Sequence, residues 1–437
     1  MSNLKLSQKQ VVFIIAGAVL AIGIFALIFL NLRPTASKGP ALTLKVWGTE
    51  SSGALQQVID TYPYAQVSYT QIDPAHYQSE LLAALAAGNG PDVFEIGNRD
   101  LPRFEDILSP FPSSSSVFGI EQLSQLFPDV VAQDFVANGR IYGLPLSIDT
   151  LAMLYNKDLF NAAGIAEPPA TWNEFDADVA KLRAVDASGG LLQAGAAIGG
   201  SSASIPHAAD LLALIMLQNG TTMTNSAGTS ASFASAANKS PGLAAFKFYL
   251  QFANPASPYY TWSDSFPSGG NAFDSFAEGK TAIVFAYHSD LAAMKAKAPF
   301  LNYAVAPMPQ LSAPPGGRPV TVVNYPKYLG FVAAKAGQTA AAWNFILYLT
   351  TPLSGDANAY GAATGNPPAL RSAIAADENS QDLSVFASQA LTARSWYEAN
   401  STEDEAALNT AIEDAENGQA ASRALSEAEA AVSALMQ

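Results

Sequence analysis

Between residues 42 and 96 the sequence switches repeatedly between a strand period and a helix period. Leu42-Thr-Leu-Lys-Val-Trp47 alternates, which puts Leu42, Leu44 and Val46 on one face of a strand. Gly48 to Gly53 is a polar turn, and Ala54 to Tyr62 reads as a helix. Gln66 to Thr70 is a second strand, His76 to Ala87 a second helix stopped by Gly88-Asn-Gly-Pro91, and Asp92 to Ile96 a third strand. Strand, helix, strand, helix, strand constrains this region to a parallel sheet covered by helices. Ligands of such sheets sit beyond the carboxyl ends of the strands. Trp47, Thr49 and Glu50, with Glu95 to Arg99, therefore fall along one rim.

Ahead of this body, Val11 to Leu30 is an unbroken apolar run. At about 20 residues such a run crosses a bilayer as a helix. The segment around Pro34-Thr-Ala-Ser37 is a poor cleavage site, so an uncleaved anchor is expected, with residues 1–40 as anchor and linker. Lys5 and Lys9 precede the span and Arg33 and Lys38 follow it, so charge favours an inward N-terminus only slightly. The 437 residues suffice for two or three domains, and a hydrophobic fraction of 49% supplies large cores. The absence of cysteine excludes disulfides, thiolate catalysis, Cys-ligated zinc and attachment as a conventional lipoprotein. The net charge is −15, and all 37 acidic residues lie after position 40 while four of the 22 basic ones lie before it. Nucleic acid and anionic lipid surfaces are thereby disfavoured as partners of the body.

The stretch Tyr142 to Phe160, YGLPLSIDTLAMLYNKDLF, begins with a Gly143/Pro145 turn, runs through an apolar segment and breaks at Asn156-Lys-Asp158. Asp149 interrupts the apolar segment. An unpaired carboxylate there is costly, so Asp149 either sits at a strand end, solvated or paired with an Arg, or it holds a ligand. Thr171-Trp-Asn-Glu174 has the spacing of a capping box opening a helix.

The ordered set GLPLSIDTLAMLYNKDLFNAAGI, then PPATWNEF, resembles the central signature of the family 1 extracellular solute-binding proteins, the maltose-binding-like receptors of ABC importers. Phe276 to Ile283, ending in Ala286-Tyr287-His288, is similar to a second family signature. The resemblance implies an α/β fold of two lobes joined by a hinge, with the cleft lined just after the strands. It would place Thr49, Glu50, Glu95, Asn98 and Asp149 against the ligand, with Tyr287, and secondly His288, supplying an aromatic face. Trp47 is either a core residue or part of the lining. Asn324 and Tyr325, ahead of a strand from Leu329 to Ala333, are further candidates. The resemblance also places the first crossover between lobes within 142–160 and the second at Asn302 to Pro309. It returns Gly361 to Pro368 to the second lobe. The expected division is 41–145 plus 310–360 for the first lobe and 146–309 plus 361–437 for the second. Thr402 to Leu435 reads as helical, with Leu425, Ala428, Val432 and Leu435 on one face.

The chemistry available is limited. His76, His207 and His288 are far apart, and neither HExxH, a phosphate loop nor GxSxG occurs. No metal and no cofactor is expected, and an enzyme is not. Glycoside hydrolysis would need two facing carboxylates, for which Glu50, Glu95, Asp149 and Asp290 are the material. The expected function is an extracytoplasmic receptor, anchored in the cell membrane, that passes a sugar or oligosaccharide to an ABC importer and works as a monomer. A cationic solute such as a polyamine, or a surface sensor or adhesin on the same scaffold, are the alternatives.

Overall fold

The computed structural model describes residues 42–112, 118–234, 240–266, 270–312, 321–335, 337–354, 359–376 and 383–437. The apolar run Val11–Leu30 lies outside them. Among the described residues no helix is long and apolar enough to cross a membrane.

The opening alternation forms as its periods dictate. β1 (Thr43–Gly48), α1 (Ser52–Ile59), β2 (Gln66–Gln71), α2 (Pro74–Ala86) and β3 (Val93–Gly97) follow one another, and β1 pairs in parallel with both β2 and β3. Asp73 caps α2 by accepting from the Ala75 N–H at 2.8 Å, and Pro74 occupies the first turn, where no intrahelical N–H is needed. Further along come β4 (Gly143–Pro145), β5 (Asp149–Thr150) and β6 (Ala152–Asn156). Asn156 stops β6 and caps the next helix, accepting from the N–H groups of Asp158 and Leu159. The capping box at Thr171 and Glu174 is present, with Glu174 accepting from the Thr171 N–H at 3.0 Å. The remaining strands used below are β7 (Ile283–Ala286), β8 (Tyr303–Ala306), β9 (Pro326–Lys327) and β10 (Leu329–Ala333).

These strands build two sheets and a ribbon. The first sheet has the order β2-β1-β3-β10-β4, with β10 antiparallel to both its neighbours. The second is antiparallel, in the order β7-β6-β8. Each sheet lies in its own hydrophobic core. The first core takes residues from 44 to 148, from 328 to 374 and from 387 to 393. The second runs from 151 to 325 and resumes with Phe386, Trp396 and the last two helices. The chain thus passes between cores from Ile148 to Leu151, back from Tyr325 to Tyr328, and over again between Ala393 and Trp396. The short segments making the first two passages, β5 and β9, pair with each other as a separate two-stranded ribbon.

Two expectations shift. Asn302 to Pro309 is not a crossover, because β8 is a strand of the second sheet; the return passage is at β9. Gly361 to Pro368 does not rejoin the second core, because Tyr360, Ala369 and Leu370 on either side are buried in the first. The C-terminal helical stretch is two helices, Ser401–Glu416 and Ala421–Leu435, broken at Asn417-Gly418. Leu425, Ala428 and Val432 are buried as their spacing requires, whereas Leu435 is 39% exposed at the helix end.

Gly330, the second residue of β10, would ordinarily weaken a strand. Here the Phe135 ring lies across it: a Cβ at position 330 would come within 2.3 Å of that ring. Gly330→Ala therefore forces the ring or the strand aside. Its expected cost is about 1–3 kcal/mol, read as a lower urea midpoint with the slope unchanged.

Candidate functional site

Two strand ends set the chemistry. Trp47 on β1 pairs with Phe94 on β3, so the loop after β1 passes beside Glu95. The Tyr77 hydroxyl donates to the Glu95 carbonyl and accepts from its N–H, both at 2.9 Å, which fixes the backbone there. The Glu95 side chain is fully buried. Its Oε2 accepts from the Thr49 N–H at 2.7 Å and from the Thr49 hydroxyl at 3.1 Å, while its Oε1 has no hydrogen-bond partner. Gly48 makes room for this carboxyl: a Cβ at 48 would lie 2.7 Å from it. Burial pushes the Glu95 pKa up to about 8; Glu50 adds to the rise and the Thr49 bonds pull against it. Burial likewise raises Glu50 to about 7, and the Tyr360 hydroxyl donates to Glu50 Oε2.

Glu50 and Glu95 line a cleft of about 640 Å³. The residues around it come from both cores and from the ribbon between them. Asn98 and Tyr77 stand on the first-core side, Asp149 and Lys327 come from β5 and β9, and Ser289 and Glu405 close the far side. Asp149 is held by backbone N–H groups rather than by an Arg. Its Oδ1 accepts from the N–H groups of Thr150 and His288 at 2.8 and 2.9 Å, and its Oδ2 from Ser289 at 2.9 Å. Burial nevertheless raises its pKa to about 6 against those three bonds.

Arg99 ties the two sides together. It follows β3 in the first lobe, yet its guanidinium reaches Glu398 at 2.9 Å, Glu405 at 2.5 Å and Asp210 at 3.5 Å. Nη1 also donates to the Tyr325 hydroxyl at 3.1 Å. Burial alone would lower its pKa, but Glu398, Tyr325, Asp210 and Glu405 outweigh that and hold it well above its ordinary value. Arg99 also lines a second cavity of about 400 Å³ with Gln133, Asp134 and Tyr397, so its side chain separates two spaces between the cores.

The sequence profile of bacterial extracellular solute-binding proteins matches residues 47–354, which carry both sheets. The chain belongs to that family. Among individual members, a binding protein of Brucella abortus is 36% identical over 108 residues, 24% of this chain and 25% of its own. The sn-glycerol-3-phosphate-binding periplasmic protein of Yersinia pestis is 29% identical over 148 residues, 31% of this chain and 34% of its own. The aligned part thus spans only about a quarter to a third of these relatives. Solved structures share the fold over nearly the whole length. The cyclic α-maltosyl-1,6-maltose-binding protein of Arthrobacter globiformis matches with a TM-score of 0.73 at 19% identity, over 91% of this chain and 99% of that one. The sugar-binding protein MalE of Xanthomonas citri matches with a TM-score of 0.72 at 22% identity, over 90% and 97%.

Within this family fold, four of the expected site residues line the cleft: Glu50, Glu95, Asn98 and Asp149. The Asn98 amide is already engaged, donating to Asp134 at 2.9 Å and accepting from the Tyr328 N–H at 3.2 Å. Thr49 serves Glu95 rather than the cavity, and Trp47 is half-buried against the first core. Tyr287 offers no stacking face. It is fully buried, and its hydroxyl donates to Asp210 at 2.9 Å. The His288 ring packs on Phe386 with centroids 5.4 Å apart. Asn324 bonds to Thr392 at 2.9 Å and Tyr325 receives Arg99 and Trp396, so both are interior fixtures. Lys327, Ser289 and Glu405 are among the cleft residues that sequence reasoning passed over, and Arg99 was placed on the rim without being singled out. Arg99 had a visible signal, standing at the end of a strand on the expected rim.

Arg99→Met would leave Glu398 and Asp210 buried without their cation. A loss of about 3–5 kcal/mol is expected, measured by urea unfolding. The raised carboxyls give a second expectation. Glu95 and Glu50 bind protons more tightly folded than unfolded, so stability is full below about 4.5 and falls as pH rises towards about 8. Glu95→Gln should flatten that fall in melting temperature, chiefly by raising stability at the alkaline end.

Proposed function

We propose that this chain is a receptor that captures a sugar or oligosaccharide between two lobes and hands it to an ABC importer. The observation that carries the reading is the cleft itself: its walls come from two separate cores, and its floor is the β5–β9 ribbon that joins them. Bending at so short a ribbon changes the distance between the walls without repacking either core, which is hinge closure. A ligand favours the closed form only to the extent that it binds that form more tightly. The Arthrobacter and Xanthomonas proteins bind sugars, and a diacetylchitobiose binding protein of Streptomyces coelicolor is 31% identical over 109 residues. The carboxylates Glu50 and Glu95 on one wall disfavour a phosphate ester of the kind the Yersinia relative takes. A single copy supplies both walls, in keeping with a monomer. The run Val11–Leu30 is the anchor in this reading, tethering the body outside the cytoplasm beside the permease.

The hydrolase alternative is weaker. Glu50 follows β1 and Glu95 lies within the neighbouring β3, so both belong to one wall, whereas hydrolysis needs carboxylates on opposite sides of the bond.

Thermal unfolding of the full-length chain against gluco-, malto-, manno- and chito-oligosaccharides tests the reading. A saccharide at a hundred times its dissociation constant stabilises a folded receptor by about 2.7 kcal/mol. A saccharide shift that shrinks in Glu50→Gln, at a partly exposed residue of the cleft wall, supports the site; the absence of a shift with every saccharide sinks it.

A further inference from the structure

The hydrogen bonds around the Glu50–Glu95 wall lack a positive charge. Glu95 receives the Thr49 N–H and hydroxyl, and Glu50 receives the Tyr360 hydroxyl. All three donors are neutral. The two cations lining the same cleft are committed elsewhere. Arg99 is held by Glu398, Glu405 and Asp210 of the second lobe. The Lys327 ammonium stands 5.5 Å from the centre of the Tyr287 ring. Meanwhile Glu95 Oε1 is buried without a partner, in a residue that lines the cleft. Such an oxygen costs free energy until a donor reaches it.

The apolar side of the cleft points the same way. Its aromatic lining residues, Tyr77, Phe104 and Tyr328, are 8%, 2% and 5% exposed. None presents an open ring on which a pyranose could stack. A ligand here gains less from ring stacking and more from charge and hydrogen bonds, and the group left without a partner is a carboxyl. Burial has raised both carboxyls, so in the empty cleft the wall takes up protons that a ligand cation can replace.

We propose that the captured saccharide carries a basic amine, and that the Glu50–Glu95 pair is the subsite that receives it. This rests on reading the cleft as a saccharide site, and it narrows that reading from neutral sugars to amino sugars. The ammonium donates to Glu95 Oε1 and shares its charge with Glu50. Hydroxyls of the same sugar are left for Asn98, Ser289 and the ribbon. The overall acidity of the body, with 37 acidic against 22 basic residues in the chain, steers a cation towards the cleft.

The test is calorimetric titration of the full-length chain at neutral pH with matched ligands: glucosamine oligomers, their N-acetylated counterparts, cello-oligosaccharides of equal length, and spermidine. A charge-assisted bond in a buried site gives the glucosamine oligomer an advantage of about tenfold or more over both neutral counterparts. That advantage should vanish in Glu95→Gln and shrink in Glu50→Gln, whose partly exposed position makes it the safer variant for folding. Melting curves without ligand check that both variants fold. Equal or tighter binding of the neutral sugars overturns the amine subsite and leaves the saccharide receptor standing. An advantage unchanged in both variants also overturns it. Binding of spermidine with no saccharide keeps the amine subsite and overturns the sugar. Silence in all four arms counts against both.

Discussion

Asp149 is the constraint on which the two-core arrangement depends. A carboxylate inside an apolar strand would unfold its surroundings if left bare. It is instead held by the N–H groups of Thr150, His288 and Ser289. The last two belong to the segment that follows β7 in the second sheet, so a side chain on the passage between cores is gripped by the wall of one of them. That grip orients the ribbon, whose Thr150 is itself buried and donates its hydroxyl to the Phe386 carbonyl at 2.9 Å. When the ribbon bends, the wall it holds travels with it.

Arg99 answers the same problem on a larger scale. An acidic chain that folds two cores against each other must bury some of its carboxylates, and Asp210 and Glu398 are nearly inaccessible. One guanidinium serves both and extends to Glu405 at the edge of the cleft. Its planar fork, with several donors at fixed angles, suits this multiple duty in a way an ammonium does not. The arrangement places a strong electrostatic tie midway between the two cavities rather than at the mouth of either.

The regular parts of the fold were legible because their signals are local. The βαβαβ opening and the capping box at Thr171 and Glu174 follow from period, caps and breakers. The rim at Glu50, Glu95 and Asn98 was legible by one further step, that cleft residues follow parallel strands. The errors lay where tertiary partners decide. β8 reads like any strand ending in prolines, and nothing nearby says that it pairs with β6 instead of crossing between lobes. Tyr287 looks like an exposed aromatic until α-helical Asp210, far off in sequence, takes its hydroxyl into the core. Arg99 stood on the expected rim, but its role as a tie between the cores was not legible, because its three acidic partners are scattered between positions 210 and 405.

The order of the first sheet has a consequence for how the molecule comes into being. β3 lies between β1 and β10, and β10 is reached only at Leu329, after the whole of the second sheet has been made. Until then the outer edge of β3 has unpaired N–H and C=O groups, and β4 has no neighbour in its sheet. Pairing across so long a stretch is slow, and an open strand edge is an invitation to the wrong partner. A chain emerging from a ribosome therefore stays loose until three-quarters of it exists. Looseness is a hazard in a crowded compartment, but it is what a polypeptide needs if it is to be threaded through a narrow translocation channel before it sets.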